Sequence, residues 1–170
     1  MAITLGRLLQ RKNQTGGIKN IYFQNIAFDG TVANQVVTSL GTVDEVFRFE
    51  VKATTNALTE TGTSSEDAGT FLNVISLAVT LPLLSPALQV QITEICQLRP
   101  VVYVEDYNGN IVLVGQTGGT MSNCTKVTGA GRGDLTGFTL TIAAEEGALS
   151  PFLDGTTKTA LKTFVSINNI

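Results

Sequence analysis

The chain has 170 residues, with 11 Lys and Arg against 14 Asp and Glu, a formal charge of −3, no His, no Trp and two Cys. Without His there can be no Ser-His-Asp or Cys-His pair and no imidazole metal site, so any acid–base role falls to a carboxylate, Lys, Tyr or Cys. A charged content of only 15%, against a usual ~25%, together with abundant Thr, Val, Ile and Gly, points to β structure and to surface reserved for a partner. The length suits a single domain spanning 1–170.

Residues 1–17 read as an extended basic arm. The first twenty residues carry Arg7, Arg11, Lys12 and Lys19 and no acid, so the other 150 hold 7 bases and 14 acids, a net of −7. That asymmetry lets the arm lie on an acidic neighbour. Met1 to Arg7 has no apolar h-region, and no run of about 18 apolar residues occurs. A protein made in the cytoplasm, with no membrane contact, is the expectation. Two cysteines, Cys96 and Cys124, are too few for a disulfide framework and are expected to be reduced and buried.

After the Gly16-Gly17 breaker, Ile18 to Phe23 reads as a strand. Val46 to Lys52 alternates Phe47, Phe49 and Val51 with Arg48, Glu50 and Lys52, the period of a half-buried strand. Residues 53–69 are polar and acidic, with almost no apolar anchor. Loops beyond about 12–15 residues are uncommon in compact domains and are usually functional or disordered. This segment is expected to protrude as a loop or hairpin and to order against a partner.

Phe71 to Leu81 puts Phe71, Asn73, Ile75, Leu77, Val79 and Leu81 on one side and Leu72, Val74, Ser76, Ala78 and Thr80 on the other. Both sides are largely apolar, which predicts cover on both faces, part of it from another subunit. Ser85-Pro86 is an N-cap followed by Pro at the first helical position. Leu88, Ile92 and Ile95 follow at helical spacing, so one helix is predicted at about residues 86–98. Asn108-Gly109 between the apolar runs 101–105 and 111–114 is a strong hairpin signal. Residues 121–128 and 136–143 read as further strands, and a last apolar run follows at 161–167. The predicted fold is mainly β: a sandwich or barrel of about seven to eight strands with one flanking helix and a long protruding segment.

Tests for chemistry are negative. Gly129 to Gly133 lies between strands rather than ahead of a helix, and no Gly-Lys-Ser/Thr follows, so it is not a phosphate loop. Arg132-Gly133-Asp134 matches a cell-adhesion tripeptide that is too short to be specific. The adjacent carboxylates Glu105-Asp106 and Glu145-Glu146 point to opposite faces of their strands and are not predisposed to act as a dyad. EF-hand spacing is absent. No catalytic, cofactor or metal residue is predicted.

The order of features carries a resemblance. It runs Gly-Gly-Ile-Lys-Asn-Ile-Tyr-Phe, then Phe-Arg-Phe-Glu-Val-Lys, a Thr/Glu-rich segment closed by Gly69, a long strand and one helix. Val-Val-Tyr-Val-Glu-Asp-Tyr-Asn-Gly-Asn-Ile-Val-Leu-Val-Gly follows, and Gly-Arg-Gly-Asp-Leu-Thr-Gly-Phe-Thr-Leu-Thr-Ile comes last. Over about residues 16–154 this resembles small structural proteins of tailed bacteriophages, especially of Bacteroidetes, and the wider tail-tube group shared with contractile injection systems. The resemblance implies rings, commonly hexameric, that stack into or cap a tube. It places the protein in the virion tail, in passive contact with passing DNA and beside sheath, tape-measure or baseplate proteins. Contacts between subunits would then fall on Arg7, Arg11 and Lys12 of the arm, on Thr59, Glu60, Thr61, Thr63, Glu66, Asp67 and Phe71, and on Asn108 and Asn110. A head-decoration or receptor-binding module is the alternative. The scarcity of aromatics for sugar binding weighs against the latter.

Overall fold

A computed structural model of the chain describes residues 6–7, 13–52 and 54–166. The fold is mainly β, with two antiparallel-rich sheets face to face and two helices. The larger sheet has the order β2-β3-β11-β8-β7-β1-β4, and the smaller one β5-β6-β10-β9. In chain order the strands are β1 (Ile18–Gln24), β2 (Thr31–Ala33), β3 (Val36–Ser39), β4 (Val46–Glu50), β5 (Ala57–Ser65) and β6 (Thr70–Pro82). After helix α1 (Pro86–Gln97) come β7 (Val101–Asp106), β8 (Ile111–Val114), β9 (Met121–Val127), β10 (Gly137–Glu146), β11 (Phe152–Leu153) and helix α2 (Gly155–Thr163).

The space between the sheets is the main core. Ile21 and Phe23 of β1 and Val102 and Val104 of β7 meet Ile75, Leu77 and Val79 of β6 and Phe138, Leu140 and Ile142 of β10. Phe49 of β4 closes this core edge-on against Phe23, with ring centroids 5.1 Å apart at 78°, a favoured aromatic geometry. Helix α1 starts where its sequence requires, with Ser85 Oγ accepting from the Leu88 N–H at 3.1 Å and Pro86 next. It inserts Leu88, Ile92 and Ile95 into the same core. Each such side chain fully withdrawn from water contributes about 1.5–3 kcal/mol.

The opposite face of the larger sheet holds a second core. Tyr22, Val46, Val101, Tyr103, Ile111 and Leu113 pack there with Leu153 and with Leu161 of α2. β1 and β7 are therefore buried on both faces, and their sequences lack the polar alternation of a half-wet strand.

Four expectations are corrected. The described chain has eleven strands rather than seven or eight, because short strands β2, β3 and β11 extend the larger sheet. Of the loop or hairpin expected at 53–69, the hairpin holds and the loop does not: residues 57–65 are strand. β5 pairs in register with β6 from Ala57↔Ala78 to Ser65↔Thr70, leaving residues 54–56 and the turn after Ser65 irregular. The Thr-rich composition that argued for a loop is compatible with a strand, since Thr favours extended backbone, and the backbone ladder needs no apolar anchor. The run 161–167 is not a strand: residues 161–163 end helix α2, residue 164 is a turn, and residue 167 lies outside the described residues. Asp154 caps α2 by accepting from the Thr157 N–H at 2.7 Å, and Thr157 and Leu161, four apart, bury one face. Beyond α2, Val165 forms a bridge to Val46 of β4, with the Val46 N–H donating to the Phe164 carbonyl at 3.0 Å and the Ser166 N–H donating to the Val46 carbonyl at 2.8 Å. Finally, Cys96 is half-buried and Cys124 exposed, so the thiols are not both buried.

Candidate assembly surface

The smaller sheet uses one face for the core and leaves the other bare. Its register places Thr59, Thr61 and Thr63 of β5 beside Leu72, Val74 and Ser76 of β6, followed across β10 and β9 by Thr139, Thr141, Ala143, Met121, Asn123 and Thr125. Within these four strands the outward residues are Thr, Ser, Ala, Asn and a few larger apolar groups, and Glu145 is the only charge among them. Leu72 and Val74 are about 40% exposed and Met121 is 63% exposed. The second side of residues 71–81, which the sequence marks for cover, receives none from the rest of the described chain.

Among the described residues both edges of this sheet are free of a neighbouring strand: β5 on one side and β9 on the other. Nine-residue β5 contains no Lys and no Pro, the usual guards of an edge strand. From Thr61 to Leu72 every residue is exposed, so the tip of the β5–β6 hairpin projects past the core on both faces. Gly69, at φ +61°, closes its turn with its N–H on the Glu66 carbonyl at 3.3 Å. Asn56 anchors the base, its Oδ1 accepting from the Thr80 N–H at 2.6 Å just where β5 pairing ends.

The predicted contact residues divide into three groups. Thr59, Thr61 and Thr63 share the bare face, Glu66 and Asp67 sit in the exposed hairpin turn, and Phe71 lies 45% exposed across Gly62 near the tip. Glu60 turns the other way. Its Oε2 accepts from Asn73 Nδ2 and from the Ser150 N–H, both at 3.1 Å, so it serves the fold. Asn108 and Asn110 are likewise engaged within the chain. Asn108 exchanges two bonds with the backbone of Thr15, at 2.9 and 2.8 Å, and thereby ties the end of the arm to the β7–β8 turn. Asn110 donates twice to Asp106. Arg7 is exposed; Arg11 and Lys12 lie outside the described residues.

The outward residues of β9 and β10 escaped the sequence reading. The alternation of Thr139 and Thr141 with Leu140 and Ile142 was the signal that could have found them.

The strongest buried polar cluster is not on this surface. Glu105, 4% exposed, accepts from Tyr22 Oη at 2.6 Å, Asn20 Nδ2 at 2.7 Å and Lys162 Nζ at 2.8 Å. Burial alone would push its carboxyl up, but the bonds from Asn20, Lys162 and Tyr22 outweigh burial and hold it at about 2. Burial, then the hydrogen bond to Glu105 and that carboxylate's charge, push the Tyr22 phenol up. Glu105 is thus a fixed anion fastening α2 to β1 and β7, with every donor committed to it. Neighbouring Asp106 faces the turn instead, as strand alternation requires.

The adhesion-like tripeptide is occupied too: Asp134 accepts from the backbone N–H groups of Ala130 and Gly131 at 3.0 and 2.7 Å. Among the described residues no three His, Cys, Asp or Glu side chains converge on a metal-sized site, and no helix is long and apolar enough to cross a membrane. The sequence matches no protein-family model and no curated protein.

Proposed function

We propose that this chain is a structural protein of a phage tail, or of a related contractile injection system, and that its copies join through the smaller sheet into a closed ring. The observation that carries the proposal is the bare, nearly uncharged outer face of that sheet, flanked by the two open edges β5 and β9. An open sheet edge pairs readily with another strand, and the one Lys on these two edges, Lys126 of β9, is engaged by Gln89 of α1. Setting β5 of one copy against β9 of the next makes a head-to-tail interface, which closes when the rotation between copies divides a full turn.

The joined outer faces would form one wall of hydroxyl, methyl and amide groups, with Glu145 recurring once per subunit. Such a wall offers DNA no cationic partner, and affinity for phosphate needs bases, so a duplex could pass without sticking. The projecting hairpin would supply contacts to a neighbouring subunit or ring, and the basic charge of the first twenty residues would suit an acidic partner there. Sheath, tape-measure or baseplate proteins would meet the other surfaces, and the finished assembly would reside in the virion tail. No catalytic function is part of this reading.

Light scattering and negative-stain microscopy of the purified full chain over a range of concentrations test the proposal. Rings or short tubes, with mass growing in steps with concentration, are the expected result. A monodisperse monomer at high concentration overturns it and favours the decoration or receptor-binding alternative.

A further inference from the structure

The chain's only two cysteines, 28 positions apart in sequence, are brought together across α1 and β9. Cys124 pairs in register with Leu140, a core residue of β10, so its side chain is directed to the inner side of the sheet. Cys96 packs against that same core from α1. A second contact fixes the register between helix and strand: Lys126 Nζ donates to Gln89 Oε1 at 2.8 Å. From Gln89 to Cys96 is seven residues, about 10.5 Å along the helix. From Lys126 to Cys124 is two residues, about 6.8 Å along the strand. Seven residues return to the same side of a helix and two to the same side of a strand, so Cys96 and Cys124 lie on the matching faces of α1 and β9 that the Lys126–Gln89 contact brings together, and the two thiols are neighbours.

We propose that Cys96 and Cys124 form a modifiable dithiol that closes, by exchange with a small organic disulfide such as oxidised glutathione, into a covalent staple between α1 and edge strand β9. Cys124, being exposed, reacts first. Its thiolate attacks one sulfur of the small disulfide and expels one small thiolate, leaving a mixed disulfide on Cys124. Cys96, after losing its proton to solvent, attacks the Cys124 sulfur and expels the second small thiolate. Two protein thiols are oxidised, one small disulfide is reduced to two thiols, and the released protons end on those thiols or in the buffer.

Burial, reinforced by the neighbouring Cys124 thiol, pushes Cys96 up to about 11. Few Cys96 side chains are thiolate near neutral pH, so the second step is the slow one. It should quicken about tenfold per pH unit well below that value. Thiol exchange is independent of the ring proposal: it needs only the α1–β9 contact within one chain.

The test treats the reduced, full-length chain in dilute solution with oxidised glutathione, followed by intact-mass and peptide analysis. The expected product is a monomeric chain lighter by two hydrogens, with one linked peptide pair holding Cys96 and Cys124. Its thermal midpoint should lie on the order of 10 °C above that of the reduced chain, as closing a loop of this length implies. Cys96→Ser should stop at a stable glutathione adduct on Cys124, and Cys124→Ser should gain no adduct in the same time. A wild-type chain that stops at the same adduct as Cys96→Ser, or that links to a second chain instead, overturns the proposal.

Discussion

The two sheets are built from similar residues and are treated oppositely by the fold. The larger sheet is covered on both sides, by the shared core and by α2. The smaller sheet is covered on one side only, and its outer side keeps Leu72, Val74 and Met121 in water. The difference shows in chemistry as well as in burial. Where the larger sheet must bury polar groups it saturates them, as with Glu105 held by three donors and Gln24 Oε1 accepting from Tyr103 Oη at 2.8 Å. The smaller sheet's outer face carries hydroxyls that need no internal partner because water satisfies them. A face that is neither charged for solubility nor committed to a core is the kind of surface that marks an interaction site.

Substitutions on adjacent residues of β10 give the sharpest contrast. Leu140→Asp should prevent folding by burying an unpaired charge, and Leu140→Ala should cost about 2–5 kcal/mol. Thr141→Ala, one residue on and facing outward, should stay within about 0.5 kcal/mol. Denaturant melts of the three variants check this, and equal losses at 140 and 141 would erase the distinction between the faces. Phe49→Asp should destabilise less than Leu140→Asp, since Phe49 is only partly buried where it packs on Phe23 at the mouth of the shared core.

Glu105→Ala comes next. It strands the Tyr22 hydroxyl and the Asn20 amide, and should cost about 3 kcal/mol. Lys162→Ala should cost less, because Lys162 is half exposed and its charge is partly screened.

The same carboxylate predicts a pH dependence. Its folded-state value, about 2, lies below the ordinary range of about 4.3. The unfolded chain therefore binds the proton first as pH falls. The contribution is complete above about pH 5 and drains away between there and pH 2. Melting temperature measured down that window should fall in the wild type and fall less steeply in Glu105→Gln.

Smaller in stability, but decisive for assembly, is the pair Thr61→Asp and Thr141→Asp on the bare face. Melting should shift by no more than about 0.5 kcal/mol, while rings disappear from micrographs. Persistence of rings would remove this face from the interface. A purely local effect, with assembly unchanged, is expected for Asn108→Ala, which frees the arm at Thr15. It should cost about 0.5–1 kcal/mol and increase amide exchange at Thr15.

Much of the architecture was legible in local pattern. The Ser85-Pro86 start and the spacing of Leu88, Ile92 and Ile95 marked α1 to within a residue. The Asn108-Gly109 turn and the runs beside it marked β7 and β8. The alternation in residues 71–81 separated the two sides of β6. Other elements were hidden for identifiable reasons. β5 has no apolar period, because most of it lies beyond the core and is ordered by its hydrogen-bond ladder to β6. α2 rests on a buried Thr157 and a single Leu161, too few apolar positions to show a helical period. Of the predicted contact residues, Glu60, Asn108 and Asn110 prove to be occupied within the chain.

The sequence by itself determined the mainly β character, the N-terminal boundary of the helix and the absence of any His-based chemistry, because each depends on residue type and spacing over a few neighbours. Tertiary structure alone decided which of two apolar strand faces is covered, that Glu105 is a buried anion, and that Cys96 and Cys124 meet. Those outcomes depend on which distant strand arrives alongside, and pairings over long separations leave no local periodicity to read.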